Sequence, residues 1–274
     1  MRSDDWHTTG DITEFLAHAG DFLRSQPARH TTPLTTIEKL RTQGTDAVFG
    51  WLGRGNEVSA FFYHRPNQRL TVSRLSAEES GALAARLAGV TLSGVTAEND
   101  TAAAFSEAWQ RLTGAAAVPT VQVLLYRLGT LTPPEPVPAG WGRVAEPQDH
   151  EQVVRWCDAF RADVEEAPAE SWAVSRFADK QFTFWETPDR TPVSMAGSTR
   201  MVGGMVRVDP VYTPAHLRGL GYAGAVTVEV SRAALAAGAT DVVLFTNPAN
   251  TTSNALYQRI GYVPVTSFTG YDFL

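Results

Sequence analysis

The sequence predicts an α/β chain, an α+β mixed sheet arranged as two tandem units. Three observations carry this. Short β-rich apolar runs alternate with amphipathic stretches along all 274 residues. A glycine-containing loop at 214–221 joins one apolar run to a helix of small and apolar residues. Residues 129–140, Gly-Thr-Leu-Thr-Pro-Pro-Glu-Pro-Val-Pro-Ala-Gly, hold four prolines, which suit neither a helix nor a central strand. That segment reads as an extended linker between unit 1–128 and unit 141–274.

Taken in order, helices are expected near Ile12–Arg24 and Pro33–Thr42, and strands at Ala47–Leu52, Val58–His64 and Arg69–Leu75. A helix at Ala77–Leu87, a strand at Thr91–Val95, a helix at Asp100–Leu112 and a strand at Val121–Leu128 complete the first unit. After the prolines, Trp141–Ala145 reads as a strand, and Asp149 is placed to cap a helix running to Ala162 with Val153, Val154, Trp156, Cys157 and Phe160 apolar. A second helix is expected over Ser171–Asp179, then strands at Gln181–Glu186, Val193–Arg200 and Met205–Thr213. The helix after the glycine loop is stopped by Gly238. The buried strand Val242–Thr246, a helix around Asn254 and strand material over Val263–Leu274 close the chain.

Composition bounds the function. Hydrophobic residues make up 43%, enough for real cores, and no run of 18 apolar residues is present to cross a membrane. The opening Met-Arg-Ser-Asp-Asp-Trp-His has no apolar stretch of a secretory signal, and the single cysteine, Cys157, allows no internal disulfide. A cytoplasmic location is expected. The net charge of -6 argues against a nucleic-acid partner, and the six scattered histidines form no metal-ligand spacing.

The loop Val211-Tyr-Thr-Pro-Ala-His-Leu-Arg-Gly-Leu-Gly-Tyr-Ala-Gly224 has the character of an anion site. The first amides of a helix lack intrahelical partners and lie at the positive end of its dipole. Glycines let such a backbone close on a phosphate, and Arg218 adds charge-assisted hydrogen bonds. As a dinucleotide fingerprint the loop fails, because a third glycine is missing, and no Gly-Lys-Ser/Thr makes it a Walker loop.

His216-Leu-Arg-Gly-Leu-Gly-Tyr-Ala223 resembles the pyrophosphate loop of the GNAT superfamily of N-acetyltransferases, Arg/Gln-x-x-Gly-x-Gly/Ala, with His216 at the first position instead of Arg or Gln. Asn250-Thr-Thr-Ser-Asn-Ala-Leu-Tyr257-Gln-Arg-Ile-Gly261-Tyr resembles the last block of the same superfamily, with Ser253 in an alanine place and Tyr262 in a phenylalanine place. The resemblance implies acetyl-CoA as co-substrate, with His216, Arg218, Gly219, Leu220, Gly221, Tyr222 and Ala223 around the pyrophosphate. It also implies a bulge in the preceding strand, where Val211, Tyr212 and Thr213 would bind pantetheine and polarise the thioester carbonyl. Pro210 suits such an interruption.

By the same resemblance Asp209 stands where a base glutamate is frequent, Tyr257 is the proton donor for the leaving thiolate, and Asn250 and Asn254 reach the pantetheine arm. Asn250 is also placed to cap the last helix. Glu165 and Glu166 are the alternative bases, and with Asp163 they would favour a cationic amine acceptor. Cys157 lies on an apolar helix face and reads as core.

The first unit repeats the element order, but Ser73-Arg-Leu-Ser-Ala-Glu-Glu-Ser80 replaces the glycine loop with two acids. It reads as a degenerate copy that binds no CoA, a layout similar to two-unit predicted acetyltransferases. Two functions stay open: an N-acetyltransferase, as a monomer or homodimer, acting on a small amine or amino-acid-like acceptor by direct transfer, and a non-catalytic acyl-CoA-binding or regulatory module.

Overall fold

A computed structural model describes residues 6–44, 46–54 and 57–274. In chain order the elements are β1 (Trp6–Thr9), α1 (Ile12–Ser25), α2 (Thr31–Gln43), β2 (Val48–Arg54), β3 (Glu57–His64), β4 (Leu70–Val72), α3 (Ala77–Leu87), β5 (Gly94–Glu98), α4 (Asn99–Thr113) and β6 (Ala117–Leu128). There follow β7 (Trp141–Val144), α5 (His150–Asp163), β8 (Gln181–Glu186), β9 (Pro192–Ser198), β10 (Met205–Tyr212), α6 (Tyr222–Ala236), β11 (Asp241–Thr246), α7 (Thr251–Arg259) and β12 (Tyr262–Phe273).

The chain divides into two compact units, residues 1–125 with 265–274, and residues 126–264. The sequence reading put the boundaries at 128 and 141 and kept 141–274 together. In the structure residues 265–274, most of β12, belong to the first unit, and Tyr126–Leu128 of β6 belong to the second. Side-chain alternation gives a strand its faces but not its neighbour, so this exchange has no signature in either strand.

The first unit has sheet order β1-β2-β3-β4-β5-β12, antiparallel except for the parallel β4–β5 pair. Helix α1 starts at Asp11, whose carboxylate accepts from Thr13 N at 2.7 Å, and buries Phe15, Ala19 and Leu23 at four-residue spacing. The core gathers Phe62, Leu70, Leu83, Val95 and Phe105, all fully buried. The N-terminus of α3 is closed by a reciprocal cap: Glu79 N donates to Ser76 Oγ at 3.2 Å, and Ser76 N donates to the Glu79 carboxylate at 2.7 Å.

The second unit has order β6-β11-β10-β9-β8-β7, with β7 to β10 antiparallel and β10–β11 parallel. Parallel β11 is a continuous buried run, Val242-Val-Leu244, as a strand covered on both faces requires. Val153 and Cys157 of α5 share one buried cluster with Phe177 and with Phe182, Phe184 and Met195 of β8 and β9. Asp149 precedes α5 as expected but does not cap it, because its carboxylate is held by Arg143 and by Glu146 N.

Residues 171–179 are not a helix. A single 3₁₀ turn at Trp172–Val174 is broken at Ser175, which is extended and whose hydroxyl accepts from Phe177 N, the local competition that disfavours serine inside helices. The proline-rich 129–140 is not free either. Gly129 N donates to Gly261 O at 2.9 Å, Thr132 N to Ile260 O at 3.0 Å, and Trp185 Nε1 to Ala139 O at 3.4 Å, which straps it along the second unit.

Candidate active site

Strand β10 pairs with β11 over only three positions, Met205↔Asp241, Val206↔Val242 and Arg207↔Val243. Against β9 its register runs Val208↔Ser198 and then Val211↔Ala196, so Asp209 and Pro210 oppose Gly197 alone. An extra residue on one strand bends it and breaks the ladder. Beyond Arg207 the β10–β11 register is not continued, so the ladder between these strands ends where the bulge begins. The end of β10 is fixed by Ser194, whose hydroxyl donates to Tyr212 O at 3.1 Å and lies 2.8 Å from Thr213 Oγ1. Val211, Tyr212 and Thr213 thus stand beyond the end of that ladder.

After one 3₁₀ turn at Ala215–Leu217, Arg218 folds back to donate through Nε to Thr213 O at 2.9 Å, and its Nη2 pairs with Asp163. Gly219 and Gly221 have φ of 79° and 84°, backbone that side chains resist, and Gly221 is the N-cap of α6 without a side-chain cap. A Cβ at Gly219 would meet nothing within 4 Å. No side chain caps the first amides of α6, and His216, Arg218 and Leu220 in the loop before it are exposed. An uncapped helix start beside an arginine fits a pyrophosphate. In the first unit, by contrast, the start of α3 is closed by the Ser76–Glu79 capping box.

Asp209 is where the sequence reading put it, but its surroundings are not those of a proton acceptor. Its carboxylate takes Arg176 Nη1 at 2.5 Å and also the Lys180 ammonium. Burial alone would raise its pKa, yet Lys180, Arg176 and Arg207 hold it far below the usual carboxylate range. Burial pushes Lys180 down to about 8 against the pull of Asp209. Glu166, an alternative base, is held at 2.8–3.0 Å by Arg176. Glu165 is exposed, with φ of 55°.

Tyr257 on α7 is buried, its ring 6.1 Å edge-on from Tyr262. Burial, and then the charge of Asp209, raise its pKa, and among the described residues nothing hydrogen-bonds its hydroxyl. Asn250 caps α7 through Ser253 N at 3.0 Å. The Asn254 amide is engaged locally, donating to Asn247 O and Pro248 O and accepting from Thr246. Burial lifts the Cys157 thiol to about 12, as suits a core residue. Among the described residues no group of His, Cys, Asp and Glu is placed to hold a metal ion, and no helix is long and apolar enough to cross a membrane.

Arg176 and Lys180 were not anticipated. The available signal was two cations flanking Phe177 ahead of a strand, and only the fold shows that both meet Asp209.

A β10–β11 ladder that stops at Arg207, a bulge, and a glycine loop feeding an uncapped helix define the GNAT fold, here as two tandem units. Residues 197–268 match the family described as FR47-like protein. Among solved structures, the chain resembles a GNAT-family acetyltransferase from Colwellia psychrerythraea (TM-score 0.63, 12% identity, 98% of this chain and 99% of that one). It also resembles a GCN5-related N-acetyltransferase from Sphaerobacter thermophilus (TM-score 0.55, 16% identity, 99% and 96%). A Drosophila protein gives TM-score 0.67 at 13% identity over 98% of both chains. No curated protein matches by sequence.

Proposed function

We propose that the second unit is an acetyl-CoA-dependent N-acetyltransferase that acts on a small amine or amino-acid-like acceptor by direct transfer in a ternary complex. The observation that carries this reading is the β10–β11 ladder that stops at Arg207, the bulge beyond it and the uncapped start of α6.

Bound acetyl-CoA supplies the thioester carbonyl that the amine attacks. The amides of Tyr222 and Ala223, with Gly219, Leu220, Gly221, His216 and Arg218, hold the pyrophosphate. The backbone of Val211, Tyr212 and Thr213 orients the pantetheine arm and gives donors to the carbonyl, with Asn250 and Asn254 at the arm's other side. Holding both reactants in one site supplies most of the rate. Tyr257 Oη gives its proton to the leaving thiolate and regains one released by the amine as the amide bond forms, so that one proton passes net from nitrogen to sulfur. The first unit holds no CoA, because its α3 start carries a reciprocal Ser76–Glu79 cap and acidic residues where the second unit has an uncapped glycine loop.

Calorimetry tests this: acetyl-CoA binds one site per chain, and Gly221→Glu, which puts a negative side chain at φ 84°, abolishes binding while the chain stays folded. Two equivalent sites, or unchanged affinity in the variant, would refute it. One observation favours a second reading, an acyl-CoA-binding module without turnover: Asp209 and Glu166 are both already paired with cations. Such a module would bind acetyl-CoA and release no CoA with any acceptor.

A further inference from the structure

Arg176 is held as a bound cation would be. Its Nε and Nη2 donate to Glu166 at 2.8–3.0 Å, and its Nη1 donates to Asp209 at 2.5 Å. Its guanidinium carbon lies 4.4 Å from the ring centroid of Phe177 and 5.6 Å from that of Phe160. Two carboxylates and two aromatic faces form a recognition set for an organic cation, the carboxylates supplying charge and the rings their negative faces. The four groups come from separate places: Phe160 from α5, Glu166 from the loop after it, Phe177 from the turns before β8, and Asp209 from the bulge.

The cage adjoins the reacting centre. Asp209 stands two residues before Val211, beyond the end of the β10–β11 ladder, and its charge is felt by the Tyr257 hydroxyl. It also opens outward, with 39% of the Arg176 side chain exposed. The segment that tethers Arg176 has only one 3₁₀ turn and no regular helix to fix it. Lys180, 4% exposed, balances Asp209 independently of Arg176. Withdrawing Arg176 would therefore leave Glu166 without its cation and free the Phe160 ring face, while Arg161 and Lys180 stay over Phe177.

We propose that Arg176 occupies the acceptor's cation site, and that the acceptor is a cationic amine whose ammonium or guanidinium end displaces it from between Glu166 and Asp209. The inference rests on the acetyl-transfer reading and gives it a substrate class. It assigns Arg176 as a specificity-determining residue that excludes weakly charged acceptors, which cannot compete with a tethered guanidinium.

The test is calorimetric titration of the full chain with agmatine, which carries a guanidinium at one end and a primary ammonium at the other. The parent, Arg176→Ala, Arg176→Met and the double variant Arg176→Met with Glu166→Gln are compared, each also titrated with acetyl-CoA. The methionine variant keeps the packing on Phe160 and Phe177 if the alanine one is poorly folded. Arg176→Met binds agmatine at least tenfold more tightly than the parent, the double variant loses that gain, and acetyl-CoA affinity is the same in all. Agmatine affinity no higher than the parent's, a gain that survives Glu166→Gln, or loss of acetyl-CoA binding and near-UV signal in both Arg176 variants would overturn it. Amine binding is read directly, so a chain that gains agmatine affinity yet never releases CoA keeps the cation site and places the failure on acetyl transfer.

Discussion

The Lys180 ammonium, buried in the second unit, donates to the Asp209 carboxylate at the bulge of β10. This pair makes Asp209 a fixed negative charge between two cations. A carboxylate so held has little basicity left, whatever its position on the strand.

Asp209→Asn should therefore act first on stability. Removing one partner of a buried pair leaves Lys180 uncompensated, at a cost of about 3–5 kcal/mol. The folded pKa of Asp209 lies below its unfolded value, so its contribution is fully present above about pH 4 and is lost as pH falls from there towards the folded value. Urea unfolding at pH 7 and pH 3 checks this: the parent's advantage over the variant is large at pH 7 and shrinks at pH 3. The pH–rate profile of the variant keeps the parent's shape at lower height, whereas a selective loss at low pH would return Asp209 to the role of base.

Arg218 is paired with Asp163, an ion pair that the proposed pyrophosphate contact would have to break. Arg218→Ala should weaken acetyl-CoA by roughly 1–3 kcal/mol, the scale of hydrogen bonds to charged groups. Asp163→Asn should tighten it by up to about fivefold at low salt, since an exposed pair is worth about 0.2–1 kcal/mol. In the Arg218→Ala background Asp163→Asn should change nothing. Calorimetry on the four chains at two salt concentrations reads the cycle.

A fragment of residues 141–274 should be insoluble or poorly folded. It carries Phe268–Asp272 away from their partners Glu98–Gly94, leaving a strand with open ladder groups. It also strips Asp241 of Arg127 and Gln258 of Tyr126. Gel filtration and circular dichroism of the fragment decide this, and a soluble, cooperative monomer would contradict it.

Local patterns made much of this readable from sequence. Gly219, Gly221 and the small-residue helix marked the loop, Asn250 marked the start of α7, and Gly238 its predecessor's end at φ 93°. These are signals within a few residues of their effect. What escaped was set by distant contact. Asp149 was claimed by Arg143 before it could cap α5, and residues 265–274 found their partner in β5, about 170 positions earlier. Arg176 and Lys180 look like ordinary surface cations in the chain. Only the turns before β8 bring both onto Asp209, and that changes the chemistry expected of it.

Acetyl transfer at this site turns most directly on the Tyr257 hydroxyl. The measurement is the rate of CoA release from acetyl-CoA with a panel of cationic amines, for the parent and for Tyr257→Phe, alongside acetyl-CoA affinity. Removing only the hydroxyl keeps the ring against Tyr262, so affinity should hold while kcat and kcat/KM fall together by about 10²–10⁴-fold. A phenylalanine variant that runs at the parent rate would show that the thiolate leaves without a proton from Tyr257, and the assignment of an acetyl-transfer site built around that donor would be wrong.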